Sequence, residues 1–114
     1  MKNRTPQLFF QDILDCIDKI TKYAENISYE KLMSNDMVLD AITRNFEIIG
    51  EAAKHIPEEF KVQYPELPLR EMVGMRNILI HDYLGIDYQF VWQTIHEDLP
   101  QVKKIITIIA KENF

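Results

Sequence analysis

Arg76, Asn77, His81 and Tyr83 fall within eight consecutive residues, Arg76-Asn77-Ile78-Leu79-Ile80-His81-Asp82-Tyr83. An imidazole exchanges protons near neutral pH, and a guanidinium grips phosphate oxygens through a fork of N–H donors. An amide and a phenol add hydrogen-bonding groups beside them. Together they are what a protein needs to move protons beside a phosphate and hold its negative charge. No other stretch gathers such groups. There is no glycine-rich phosphate loop and no Glu-x-x-His of a di-iron bundle, and His96-Glu97 lacks the second histidine of a zinc-protease helix. His55 and His96 read as surface residues near helix ends. No metal and no cofactor is expected.

The elements that must position this cluster are helical. With 46% hydrophobic residues, three glycines and five prolines in 114 residues, the composition disfavours a many-turned β fold. Thr5 reads as an N-cap with Pro6 at the first helical position. Phe9, Ile13, Cys16, Ile17, Ile20 and Ala24 then recur at three- and four-residue steps. Ser28 caps a short helix through Met33, and Ser34 or Asn35 caps the next.

A second long helix runs from about Asp36 to His55. Its apolar line is Val38, Ala41, Ile42, Ile49, Ala52, Ala53 and Ile56. Its polar line is Asp40, Arg44, Glu47, Glu51 and Lys54, with opposite charges three and four apart. Gly50 in mid-helix costs about 1 kcal/mol relative to alanine. Close approach of another backbone would compensate. Asn45 beside the apolar line needs partners if buried.

Residues 57–68 carry Pro57, Pro65 and Pro68 and read as a loop with one helical turn. Pro68 opens the helix that holds the cluster, from Leu69 to about Tyr83, with Gly85 ending it. A last helix starts near Asp87, with Val91, Ile95, Leu99, Val102, Ile105, Ile106 and Ile109 on its stripe. Pro100 demands a kink or two abutting segments. The expectation is an all-α antiparallel bundle of four principal helices plus short connecting helices, one domain over residues 1–114.

The formal charge is −5. Most of it sits in residues 36–66, which carry three basic and seven acidic side chains. That balance disfavours non-specific binding along a nucleic acid and confines any such chemistry to a small local site. The amino terminus lacks the apolar run of a signal peptide, and no stretch reaches membrane-span length. A lone Cys16 on the first apolar stripe reads as a small core residue in a reducing compartment. A soluble, cytoplasmic protein is expected, with no membrane partner.

On an ideal wheel, Leu69, Met72, Val73, Leu79, Ile80 and Leu84 make one broad face, and Met75 and Ile78 extend burial to the other side. Arg70, Gly74, Asn77 and His81 form a narrow polar stripe in which Gly74 leaves space for a ligand or a second backbone. Arg76 lies about 140° from His81 and about 20° from Tyr83, within the apolar face. It must reach the edge of a cleft, snorkel to solvent, or pair with a carboxylate such as Glu47 or Glu51. Either the helix distorts before His81, or Arg76 and His81 cooperate across the two-fold axis of a dimer.

Arg76-x(4)-His81-x-Tyr83 resembles the signature of the HepT-like branch of the HEPN superfamily. Arg44-Asn45-Phe46-Glu47-Ile48-Ile49-Gly50-Glu51-Ala52-Ala53 resembles that branch's second-helix motif. Trp92 followed by Asp98-Leu99-Pro100 resembles its last helix. The resemblance implies a homodimeric helical bundle acting as a metal-independent endoribonuclease toxin. Its implied partner is a minimal nucleotidyltransferase antitoxin, in a type VII-like toxin–antitoxin pair, and its implied substrate is RNA, tRNA or mRNA. Carried over, His81 is general acid or base for attack by a ribose 2′-hydroxyl, Arg76 holds phosphate oxygens, and Asn77 orients the histidine or the substrate. Tyr83 accepts AMP, and Glu47, Glu51 and Asp82 support the site.

Plainer readings stand beside these. His81 can be a hydrogen-bonded structural residue, Arg76 a structural ion pair with a second-helix glutamate, and Tyr83 a core aromatic. A different class of function is a non-catalytic helical subunit that partners a nucleotidyltransferase or binds nucleotide in a dimer cleft.

Overall fold

The computed structural model describes residues 4–77 and 87–114, which are helix and connecting turn with no strand among them. Helix α1 spans Pro6–Ala24, α2 Tyr29–Met33, α3 Asp36–Lys54, α4 Glu58–Gln63 and α5 Leu69–Gly74, followed by a 3₁₀ turn at Met75–Asn77. Helix α6 spans Tyr88–Gln93, a π-helical turn covers Thr94–Asp98, and α7 runs Leu99–Asn113. The chain is all-α, as its periodicity predicts. Among the described residues, no helix is long and apolar enough to cross a membrane.

The helix starts follow local chemistry. Thr5, Ser28, Asn35 and Asp87 each accept a hydrogen bond from a backbone N–H three residues on, at 3.4, 3.3, 3.1 and 3.0 Å. Such caps satisfy donors that the first turn leaves free and contribute about 1 kcal/mol each. At the 34/35 boundary Asn35 is the cap, while the Ser34 hydroxyl donates back to the Lys31 carbonyl at 3.2 Å.

The core forms where α1 packs along α3 and against α7. Phe10, Ile13, Ile17 and Ile20 of α1 meet Ile42, Phe46 and Ile49 of α3 and Leu99, Ile106 and Ile109 of the last helix, all fully buried. Burial of each such side chain contributes about 1.5–3 kcal/mol. The buried face of α3 lies slightly round from its expected line. Leu39 and Phe46 are in the core, whereas Val38 and Ala41 are only half-buried. The steps Leu39–Ile42–Phe46–Ile49–Ala53 keep strict three- and four-residue spacing, and the bulky Phe46 turns the helix that way. Asn45 is buried and donates to the Ala41 carbonyl at 2.8 Å, which supplies its partner.

Residues 57–68 do contain a short helix. Phe60 of α4 packs edge-on to Phe10 at 5.2 Å, and both meet Phe114 at 6.3 Å. The Tyr64 hydroxyl donates to Glu112 at 2.6 Å and accepts from Asn113 at 2.9 Å, tying this segment to the end of α7. The Glu112 carboxylate stabilises the protonated hydroxyl and raises the Tyr64 pKa.

Two helices depart from regular geometry. Pro100 has no N–H, and in a continuous α-helix its ring would press on the His96 carbonyl. The chain widens there instead: the Leu99 N–H bonds to Thr94, five residues back. The buried Thr94 hydroxyl donates to the Phe90 carbonyl at 2.8 Å. The expected kink is therefore a π turn between two α segments.

The second departure corrects the continuous α-helix expected from Leu69 to Tyr83. Its α geometry stops at Gly74, and Met75–Asn77 tighten into a 3₁₀ turn. Gly74 has the weakest helix propensity in the segment, so the tightening follows its least stable point. The expectations for residues 78–86, including the stop at Gly85, lie outside the described residues.

Candidate active site

Helix α3 lays Arg44, Glu47, Glu51 and His55 along one face at steps of three, four and four, so neighbours meet across successive turns. Arg44 Nη1 lies 3.5 Å from Glu47 Oε2, and His55 Nε2 lies 3.5 Å from Glu51 Oε1. The 3₁₀ turn crosses this ladder. It brings Arg76 Nη1 to 3.5 Å from Glu51 Oε2. Of the routes open to an arginine on an apolar face, the structure uses two together: Arg76 pairs with Glu51 and reaches a cleft edge, about one-third exposed.

The crossing is close because of Gly50. A Cβ at that position would stand 3.0 Å from the backbone N and the Cβ of Arg76, and 3.0 Å from the Val73 carbonyl oxygen. Gly50 thus has the backbone neighbour that its place in mid-helix predicts. At Gly74 a Cβ would meet nothing within 4 Å among the described residues.

Beside Arg76 lies a pocket of about 330 Å³. Arg44, Glu47 and Glu51 of α3 form one side with Ile48 and Ala52, and Asp12 and Arg76 complete it. Asp12 is held from outside by Arg4 at 2.6 Å. Two guanidinium groups therefore share one small pocket, each touching a carboxylate through a single long contact. Such half-exposed pairs contribute at most about 1 kcal/mol. Among the described residues most of the five donors on each arginine have no partner, so an incoming phosphate can replace or join the carboxylate.

A second cavity, of about 420 Å³, lies between α5 and the α6–α7 segment. Met72, Met75, Phe90, Val102 and Ile105 line it with Glu66, Glu71 and Asp98, and among the described residues no basic side chain does. The arginine pocket is the candidate because Arg76, the residue expected to hold phosphate, lines it.

Of the predicted site residues, Arg76, Glu47 and Glu51 come together at this pocket. Asn77 follows Arg76 in the same 3₁₀ turn. His81, Asp82 and Tyr83 lie outside the described residues. Two participants were missed in the sequence: Arg44 as a pocket wall, and His55 as the second partner of Glu51. The signal for both was the three-four-four spacing on α3. Among the described residues, no group of three or more His, Cys, Asp or Glu side chains is arranged to hold a metal ion.

Comparison with known proteins adds a family. The family model described as "Ribonuclease HepT-like" matches residues 13–109. A Methanocaldococcus jannaschii protein named "Putative RNase MJ1380" is 40% identical over 96% of this chain and 100% of its own length. A "Probable ribonuclease HepT" of Thermococcus cleftensis is 40% identical over 88% of this chain and 91% of its own. A Caldanaerobacter subterraneus protein named "Putative RNase TTE0752" is 34% identical over 96% of this chain and 98% of its own. No solved structure matches the chain.

Proposed function

Because this chain belongs to the ribonuclease HepT-like family, we propose that it is an endoribonuclease that cuts RNA without a metal ion, acting as a single domain in each half of a homodimer. The observation that carries this reading is the place of Arg76. It stands inside the matched span and lines a pocket, with its guanidinium 3.5 Å from the Glu51 carboxylate.

In the proposed reaction a ribose 2′-hydroxyl gives its proton to His81 and attacks the adjacent phosphorus. The bond from phosphorus to the 5′-oxygen breaks, and that oxygen takes up a proton, leaving a 2′,3′-cyclic phosphate. Arg76 holds the non-bridging oxygens as their charge grows, and Asn77 orients the histidine or the substrate. A two-fold axis beside Gly74 would place two copies of the motif around one electropositive centre, which offsets the acidic balance of the chain.

Control falls to Tyr83. A minimal nucleotidyltransferase antitoxin transfers AMP to its phenolic oxygen, with pyrophosphate leaving from the nucleoside triphosphate. The added bulk and negative charge occupy the position where RNA phosphate must bind. The protein is then the cytoplasmic toxin of a toxin–antitoxin pair.

Cleavage of tRNA and mRNA by the purified dimer in the presence of a chelator tests the reading. Wild type should cut, and His81→Ala should abolish cutting with the dimer intact. Equal behaviour of the two on several RNAs overturns it. Co-expression with a neighbouring nucleotidyltransferase should add the mass of AMP to the Tyr83 peptide, and modification confined to other residues removes that assignment.

One observation favours the second reading, a non-catalytic subunit that partners a nucleotidyltransferase or binds nucleotide: both pocket arginines already touch carboxylates. On that reading the protein binds nucleotide or partner and wild type fails the cleavage test.

A further inference from the structure

Arg76 is fixed at two separate points by consecutive residues of α3. The first point is its main chain. At Gly50 the two backbones come so near that a Cβ would stand 3.0 Å from the Arg76 N and Cβ and from the Val73 carbonyl. Any larger residue must push the 3₁₀ turn away by a few tenths of an ångström.

The second point is its guanidinium. Glu51 Oε2 lies 3.5 Å from Arg76 Nη1, and the other carboxylate oxygen lies 3.5 Å from His55 Nε2. His55 is itself held. Its ring stacks on Phe9 with centroids 5.1 Å apart and planes 14° apart, and Phe9 belongs to the core. A half-exposed glutamate would otherwise swing freely. Here an imidazole stacked on the core lies beside one oxygen while the other faces Arg76.

We propose that Gly50 and His55 are positioning residues for Arg76. Gly50 sets its main chain, and His55 sets its guanidinium through Glu51. The proposal rests on Arg76 being the group that holds phosphate. Helix spacing makes the device compact, since residues 50 and 51 are adjacent and residue 55 lies one turn beyond 51. A displaced guanidinium still attracts RNA, yet meets the developing phosphate charge in the wrong place. The loss should therefore fall on kcat more than on KM.

The test compares wild type, Gly50→Ala, His55→Ala and His55→Gln in RNA cleavage and thermal melting. NMR of arginine Nε–H groups follows the Arg76 resonance in the same proteins. Gly50→Ala should lower kcat about tenfold. Its KM and Tm should stay near wild type, because alanine's better helix propensity offsets the contact. His55→Ala should lower kcat by up to about fivefold, the scale of one half-exposed ion pair. His55→Gln, whose amide can reach Glu51 as a donor, should recover much of that. The Arg76 resonance should move in Gly50→Ala and His55→Ala.

Wild-type kcat and an unmoved resonance in both variants overturn the proposal, as does a fall in kcat that only tracks lost folded protein. If Gly50→Ala does not fold, the two His55 variants decide. If wild type cleaves no RNA, the ribonuclease reading fails by itself, and the resonance alone decides the positioning.

Discussion

Arg76 Nη1 and Glu51 Oε2 stand 3.5 Å apart across the crossing of α3 and the 3₁₀ turn, with the two side chains 37% and 44% exposed. One long contact between half-exposed partners is the guanidinium's ion pair among the described residues. It is a weak ion pair at a strongly constrained backbone.

Removing it should therefore hurt function far more than stability. Arg76→Ala should lower the free energy of unfolding by at most about 1 kcal/mol and slow RNA cleavage on the order of 100-fold or more. Arg76→Lys keeps the charge and loses the planar fork, so its rate should lie nearer to alanine than to wild type. Urea titration and cleavage kinetics on the same preparations check both. A lysine variant as fast as wild type would show that only charge matters.

Gly74 distinguishes the fold of one chain from the proposed assembly of two. A Cβ there meets nothing within 4 Å, so Gly74→Leu should leave the helical spectrum and the core intact. In sedimentation equilibrium the same variant should shift the protein toward monomer, because a leucine fills the space assigned to the second copy. A dimer unaffected by leucine would move the two-fold axis away from this face.

The core prediction concerns Phe46 of α3, which is fully buried in the core. Phe46→Ala should destabilise by about 3–5 kcal/mol, through lost burial and the cavity left behind. Met37, 82% exposed on the same helix, should tolerate alanine within about 0.5 kcal/mol. Equal losses at the two positions in urea unfolding would contradict this placement of the core.

Cys16 supplies a pH dependence. Burial is the main cause that pushes its thiol pKa from 9.0 to about 11. The folded protein thus keeps a proton that the unfolded chain releases first. The stabilising contribution is whole below pH 9 and is lost as pH rises through about 11. The stability difference between wild type and Cys16→Ala, measured by urea unfolding, should shift against wild type from about pH 9 upward. A difference that stays flat through this window would mean that the thiol is not desolvated. Alkylation of native Cys16 at mildly alkaline pH should also be slow.

Features that depend on near neighbours in the chain were legible early. Thr5 and Ser28 cap the helices they were expected to cap, and Asn35 is the one of two candidates that does, because a cap needs only its own side chain and a donor three residues on. Pro100 likewise announced a break, and the structure meets it with a π turn. Gly50 announced a close approach without naming the neighbour. The line of α3 was read slightly wrong, since Phe46 was passed over for smaller residues beside it.

The sequence by itself determined the helical periodicity, the all-α class and the family, because each is written in spacing along one chain. It also gathered Arg76, Asn77, His81 and Tyr83 into eight residues. Only the tertiary structure decided what Arg76 touches. An ideal wheel assumes one uninterrupted helix, but the backbone tightens at Met75 where α3 presses against it. The contacts of Gly50 and of Glu51 with Arg76 join residues more than twenty positions apart, and only the crossing of two packed helices makes them neighbours.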